Sequence, residues 1–122
     1  MKIKIRKADA EYSRWLRALR GNKCERCGVS GEVRKLECSH FWGRGNECTR
    51  FDEENTDVLC FTDHAYFGAN PNEYVEWKKK RMSEQKYKML MVRANLTCKK
   101  DDAKVLLWLK NQFETHSRNK TL

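Results

Sequence analysis

Cys24-Glu25-Arg26-Cys27, followed after 32 residues by Cys60-Phe61-Thr62-Asp63-His64, is the stretch that decides how this chain reads. The first pair has the two-residue spacing of a metal knuckle. Gly28 behind it suits the positive-φ turn that folds backbone amides toward two sulfurs. Cys60 opens a second half-pair, with Asp63 where its second ligand would stand. Cys24, Cys27 and Cys60 are therefore candidate zinc ligands. Asp63 is the fourth by spacing, with Cys48 and Cys38 as alternatives, because structural zinc sites rarely use a carboxylate. Between the two halves lie Glu37-Cys38-Ser39-His40-Phe41 and Asn55, so that His40, Asn55 and His64 follow one another at intervals of 15 and 9 residues.

Outward from this stretch, the flanks read as helices. Tyr12, Trp15, Leu16 and Leu19 recur at helical spacing over 9–20, with Asp9 as the expected N-cap and Gly21 as the stop. Ahead of them, residues 1–7 alternate basic and apolar side chains and predict an extended arm or short edge strand. Residues 32–41 predict a strand packing through Val33 and Leu36, 43–49 a loop, and Arg50-Phe51 a return strand or turn. Asp52 to Asn55 form a polar turn, and a helix begins near Thr62. Asn70-Pro71-Asn72-Glu73 is a strong helix start. Ser83 opens another helix, and Asp101 or Asp102 a last one, with a disordered tail from Ser117.

At 122 residues the expectation is a single domain over 1–122, with a core at 23–74 and a C-terminal helical part at 71–116. Charged residues make up 35% and hydrophobic ones 39%, so the core is modest and a metal staple is worth having. The net charge of +9 favours a polyanionic partner, nucleic acid ahead of membrane. Arg14, Arg17 and Arg44 are candidate phosphate contacts, while Arg50 is expected to pair with the Asp52-Glu53-Glu54 cluster. No apolar run matches a membrane span and no secretory pattern opens the chain, so a cytoplasmic protein is expected. There the six cysteines should be reduced or metal-bound rather than disulfide-paired.

Two histidines and a divalent cation can hydrolyse a phosphodiester. A neutral imidazole takes a proton from water, and a cation stabilises the charge that develops on the phosphate and the leaving oxygen. His40 on a strand and His64 on the following helix could supply the base and a metal ligand. Asn55 could fasten the intervening loop.

Cys24, Cys27, His40, Asn55, Cys60 and His64, with the words CSHFWGRG at 38–45, TRFDEEN at 49–55 and VLC-x2-DH at 58–64, resemble the HNH or ββα-metal endonuclease superfamily. The zinc-containing phage branch is most similar, including endonuclease VII and NinG-type recombination nucleases. The resemblance implies an α+β fold: a small zinc-stapled treble-clef/ββα-metal core with flanking α-helices. It implies structural zinc, catalytic magnesium or manganese, DNA as substrate, and phage or host recombination proteins as partners. It makes His40 the general base, Asn55 the central Asn and His64 a catalytic-metal ligand. The chain departs from the pattern at Ser39, where a metal ligand is usual, and at Asp63, where Cys is usual. Phe67 and Gly68 cannot supply the further helix-borne ligand. Glu37, Asp52 or Glu54 could help fill the set. The alternative is a non-catalytic zinc module that binds nucleic acid or protein.

Overall fold

The computed structural model describes residues 6–120, with side chains through 115. Its order is α1 (Lys7–Leu19), β1 (Leu36–His40), α2 (Glu47–Arg50), a 3-10 turn (Glu53–Asn55), β2 (Thr56–Cys60), α3 (Phe61–Ala69), α4 (Pro71–Arg81), α5 (Glu84–Ala94) and α6 (Asp102–Lys120). This is an α+β arrangement: one two-stranded antiparallel sheet surrounded by helices. Among the described residues no helix is long and apolar enough to cross a membrane.

The strand register fixes which side chains share a face. Ser39 lies opposite Asp57, Cys38 opposite Val58, and His40 opposite Thr56. Side chains alternate along a strand, so Leu36, Cys38 and His40 share one face and Glu37 and Ser39 the other. The first face meets α1, where the Tyr12 hydroxyl hydrogen-bonds Thr56 Oγ1 at 2.8 Å. The second meets α3 and α4, through Phe67 and a Tyr74 hydroxyl that donates to Asp57 Oδ2 at 2.7 Å. Phe67 and Tyr74 stack with ring centroids 4.6 Å apart. On the far side of α1, Trp15 meets Trp108 of α6 edge to face at 4.9 Å.

Several expectations are corrected. Arg6, not Asp9, stands at the N-cap position of α1, with no side-chain cap; Asp9 is buried in the first turn, held by Arg50 through contacts of 2.9 and 2.6 Å. Arg50 therefore spends its charge on α1, and Arg93 takes Asp52 and Glu54 instead. The strand begins only at Leu36, because 31–34 form a turn that leaves Val33 74% exposed. Residues 47–50 are a helical turn rather than part of a loop and return strand. Leu19 faces solvent. The tail expected to be disordered continues α6 as far as Lys120. The extended arm is corrected at Lys7, which opens α1; its residues 1–5 lie outside the described ones.

The helix starts read from Ser83 and Asp101 hold: Ser83 Oγ accepts from Lys86 N–H, and Asp101 Oδ1 from Lys104 N–H, each at 3.1 Å. Asn70 does precede α4, but its side-chain amide donates back to the Tyr66 carbonyl instead of capping.

Not all the cysteines are reduced or grouped for a metal. Cys48 and Cys98 form a disulfide across 50 residues, with Cα atoms 5.1 Å apart. The reason is tertiary: α2 docks on the end of α5, where Asn46 Nδ2 donates to the Ala94 carbonyl at 2.5 Å. That docking brings the start of the following segment onto Cys48.

Candidate metal centre and histidine groove

Cys24, Cys27, Cys60 and Asp63 converge, with one ligand atom of each within 4.8 Å of all the others, and this cluster could hold a metal ion. The knuckle forms because Gly28 adopts φ 81°, its N–H donates to the Cys24 carbonyl at 2.9 Å, and Cys24 N–H donates to Val29 O at 2.9 Å. It is stitched to β2 by a reciprocal pair: Glu25 N–H donates to Val58 O at 2.8 Å, and Val58 N–H to Glu25 Oε2 at 2.6 Å. Cys60 ends β2, and Asp63 sits in the first turn of α3.

Asp63 Oδ2 lies 3.2 Å from Cys24 Sγ and 3.3 Å from Cys60 Sγ, while Oδ1 accepts from Arg26 Nη1 at 2.7 Å. Burial works to raise the Asp63 carboxyl, but hydrogen bonds from the thiols of Cys24, Cys27 and Cys60 and from Arg26 outweigh it and hold it below its ordinary value. For Cys27, a backbone hydrogen bond from Val29 favours the thiolate. Burial and the neighbouring Asp63, Cys24 and Cys60 overcome that and push the thiol up to about 12. Three thiols crowd one carboxylate, an arrangement in which a cation would replace the thiol protons. The donor set therefore fits a thiolate-preferring ion.

The alternatives for the fourth position are excluded by placement. Cys48 is consumed by its disulfide, and Cys38 is buried in the α1 face of the sheet. Arg26, which stacks its guanidinium over Tyr66 and Phe67 at 4.4 and 4.9 Å, is the ion partner that the sequence reading missed. Its signal was its place inside the Cys24–Cys27 knuckle.

The histidines lie elsewhere, in a groove of about 270 Å³ along the edge of β1. Asp9, Ser13 and Arg17 of α1 line one side, residues 35–38 and His40 the strand edge, and Arg44 and His64 complete it. His40 shares a hydrogen bond with the Arg50 carbonyl through Nε2 at 3.0 Å, so Nε2 carries the proton and Nδ1 is left as the acceptor. Burial, followed by the Arg44 charge, pushes the His40 pKa down to about 4. His64 Nδ1 lies 2.9 Å from Glu37 Oε1 on the other face of the strand.

Asn55 does not line this groove. It is fully buried, donating through Nδ2 to the Trp42 and Thr49 carbonyls at 3.0 and 2.9 Å and accepting from Trp42 N–H at 2.8 Å. Its backbone carbonyl also accepts from Phe41 N–H at 2.8 Å. Every polar atom of its side chain is spent on fixing the loop after His40. Ser39 Oγ is tied to the Tyr74 hydroxyl at 2.9 Å inside the core. Asp52 and Glu54, held by Arg93, do not line the groove either.

Of the candidate phosphate contacts, Arg17 and Arg44 line the groove and Arg14 does not. Arg14 pairs with Glu11 at 2.7 Å and lies over Phe113 of α6. Lys35 is a groove cation that the sequence reading did not single out; its position immediately before β1 was the available clue. The side chain of His116 lies outside the described ones. No protein-family model, curated protein or solved structure matches this chain.

Proposed function

We propose that the chain is an HNH-type, metal-dependent DNA endonuclease that hydrolyses phosphodiester bonds and acts in phage or prophage DNA recombination or processing. The observation that carries this reading is His40: a neutral imidazole, its Nε2–H on the Arg50 carbonyl and its Nδ1 unspent, beside Arg44 in an open groove. Such a nitrogen is equipped to take a proton from an attacking water. Arg17, Lys35 and Arg44 give the groove positive charge to seat a phosphate. Asn55 ties Trp42 to Thr49 of α2, and so holds the backbone after His40 in place.

His64 is the residue to hold a catalytic magnesium or manganese ion. Such an ion, when bound, neutralises charge on the phosphate and the departing oxygen. The knuckle with Cys60 and Asp63 is read as a treble-clef zinc staple that sets the angle between β2 and α3, and so the placement of His64.

The test is nicking or cutting of duplex, branched and single-stranded DNA with magnesium or manganese. The expected products carry 5′-phosphate and 3′-hydroxyl ends. His40→Ala should keep fold, zinc and DNA binding and lose about a hundredfold or more in rate. Cleavage by His40→Ala at the wild-type rate would overturn the assignment. The second reading, a non-catalytic zinc module for nucleic acid or protein, draws on Ser39, whose hydroxyl is committed to Tyr74 where a metal ligand is usual. It becomes the better one if wild type cuts no DNA form with either metal.

A further inference from the structure

We propose that the Cys48–Cys98 disulfide is a thiol-exchange site, and that opening it unseats the backbone carbonyl that holds His40. Its effect on cleavage rests on the nuclease reading above; its effect on the His40 ring does not. Three observations carry the assignment.

The first is what the disulfide holds. α2 is a single turn of four residues, too short to persist on its own hydrogen bonds. It carries Cys48 and, two residues on, Arg50, whose carbonyl receives His40 Nε2–H at 3.0 Å. The Arg50 guanidinium is pinned to Asp9, and its Nη1 donates to the Arg44 carbonyl at 2.6 Å. Those contacts fix the far end of a long side chain and leave open where the main-chain carbonyl points. The disulfide is the covalent link from this turn to the segment after α5. With the hydrogen bond from Asn46 to the Ala94 carbonyl, it sets the orientation of the turn.

The second is access. Cys98 is exposed, in the stretch 97–101 that has no regular secondary structure, whereas Cys48 is half-buried. An attacking thiolate meets the Cys98 sulfur with no helix or strand to dismantle. Lys99 and Lys100 follow it directly, and positive charge draws a thiolate and favours the thiolate form of a cysteine beside it. Cys38, which lines the histidine groove, does not compete: burial pushes its thiol up to about 12.

The third is the clasp that remains. Arg6 pairs with Glu47 of α2 and with Asp102 at the start of α6, so it bridges the same two parts of the chain without a covalent bond. Opening the disulfide therefore loosens α2 rather than unfolding the chain, as a reversible control requires.

The exchange needs a dithiol. One of its thiolates attacks Cys98 Sγ, the bond to Cys48 breaks, and Cys48 leaves as a thiolate that takes a proton from water. The second thiolate attacks the mixed disulfide and releases Cys98, which is protonated in turn. Two electrons pass to the protein, and the dithiol is left as its cyclic disulfide.

The probe is dithiothreitol, added to the zinc-loaded full chain with zinc in excess. Beside it stands the double variant Cys48→Ser with Cys98→Ser, which is open without any reductant. Heteronuclear spectra of the histidine ring nitrogens report the tautomer, and His40→Gln assigns the His40 signal. The untreated chain should carry the His40 proton on Nε2 alone. The treated chain and the double variant should show a mixture of both tautomers, and reoxidation of the treated chain should restore the first state. DNA cleavage should slow by about tenfold or more in the open forms, the scale of a misplaced catalytic group. Zinc content and melting temperature check the fold of each form. The proposal is overturned if His40 keeps the same tautomer in the open forms, the disulfide then being a staple alone. It is equally overturned if the folded chain resists dithiothreitol, or if the open forms unfold. A tautomer shift with no DNA cleaved in either state would leave the exchange site standing and remove the nuclease reading. His40-dependent cleavage with a tautomer indifferent to the disulfide would do the reverse.

Discussion

His40 and Arg50 are joined by a hydrogen bond from Nε2–H to the backbone carbonyl at 3.0 Å, and this one contact decides the tautomer of the candidate base. It anchors the ring to the end of α2. The Arg50 side chain in turn grips Asp9 of α1, so α1, α2 and the tip of β1 are locked around the imidazole.

The acid limb of the pH–rate profile should consequently fall near pH 4–5, well below the ordinary imidazole value of 6.5, because burial and Arg44 hold the His40 pKa down to about 4. Single-turnover cleavage from pH 4 to 8 checks it; a limb at 6–7 would remove His40 as the base. Stability carries the same signature. Between about pH 6.5 and 4 the unfolded chain takes up a proton that the folded one refuses. Stability is therefore fully present above 6.5 and declines as pH falls toward 4, by at most about 3 kcal/mol. His40→Gln should flatten that part of the melting-temperature profile.

Arg44→Ala should do two things at once. Removing the charge next to His40 should move the acid limb upward, since Arg44 is the largest influence after burial. It should also reduce the salt dependence of DNA binding by about one phosphate contact. Arg14→Ala should leave the salt dependence unchanged, because Arg14 is occupied with Glu11 and Phe113 on the α1–α6 side. Binding isotherms at several salt concentrations separate the two variants.

The difference between Arg14 and Arg17 shows where sequence reading stops. Both sit on the polar side of an amphipathic helix, three residues apart, and only the docking of α6 and β1 sends one to an aromatic ring and the other to the groove. The knuckle, by contrast, was legible because its ligands lie within four residues of each other in each half, and local geometry does the rest. Helix starts at Ser83 and Asp101 were legible for the same reason. Asp9 was misread as a cap because its true partner, Arg50, is 41 residues away. The Cys48–Cys98 disulfide, spanning 50 residues, has no local signal either.

Lys78 is buried with its ammonium on both oxygens of Asp57, at 2.9 and 3.0 Å, and Tyr74 and Ser39 extend the network across the sheet. Lys78→Ala should cost about 3–5 kcal/mol, because it leaves the Asp57 charge buried and unpaired. Replacing both partners together by apolar residues, as in Asp57→Leu with Lys78→Met, should recover most of that loss. Denaturant melts of the single and double variants measure it. A single variant as stable as wild type would show that Asp57 is neutral or hydrated in the fold.

The last prediction concerns the thiol cluster. Three sulfurs and the Asp63 carboxylate should retain one zinc per chain, visible by native mass spectrometry. Cys24→Ser should release it and lower stability by several kcal/mol, since the ion replaces core that so charged a chain lacks. Asp63 discriminates more finely. Its second oxygen is held by Arg26, so the carboxylate reaches the sulfurs through Oδ2 alone, and a thiolate at that position should bind the ion more strongly. Asp63→Ala should therefore lose zinc to a chelator faster than wild type, and Asp63→Cys more slowly. Arg26→Ala should fall between Asp63→Ala and wild type, having freed the carboxylate to rotate away. If all three variants surrender zinc at the wild-type rate, the fourth ligand is water and Asp63 serves only as the ion partner of Arg26.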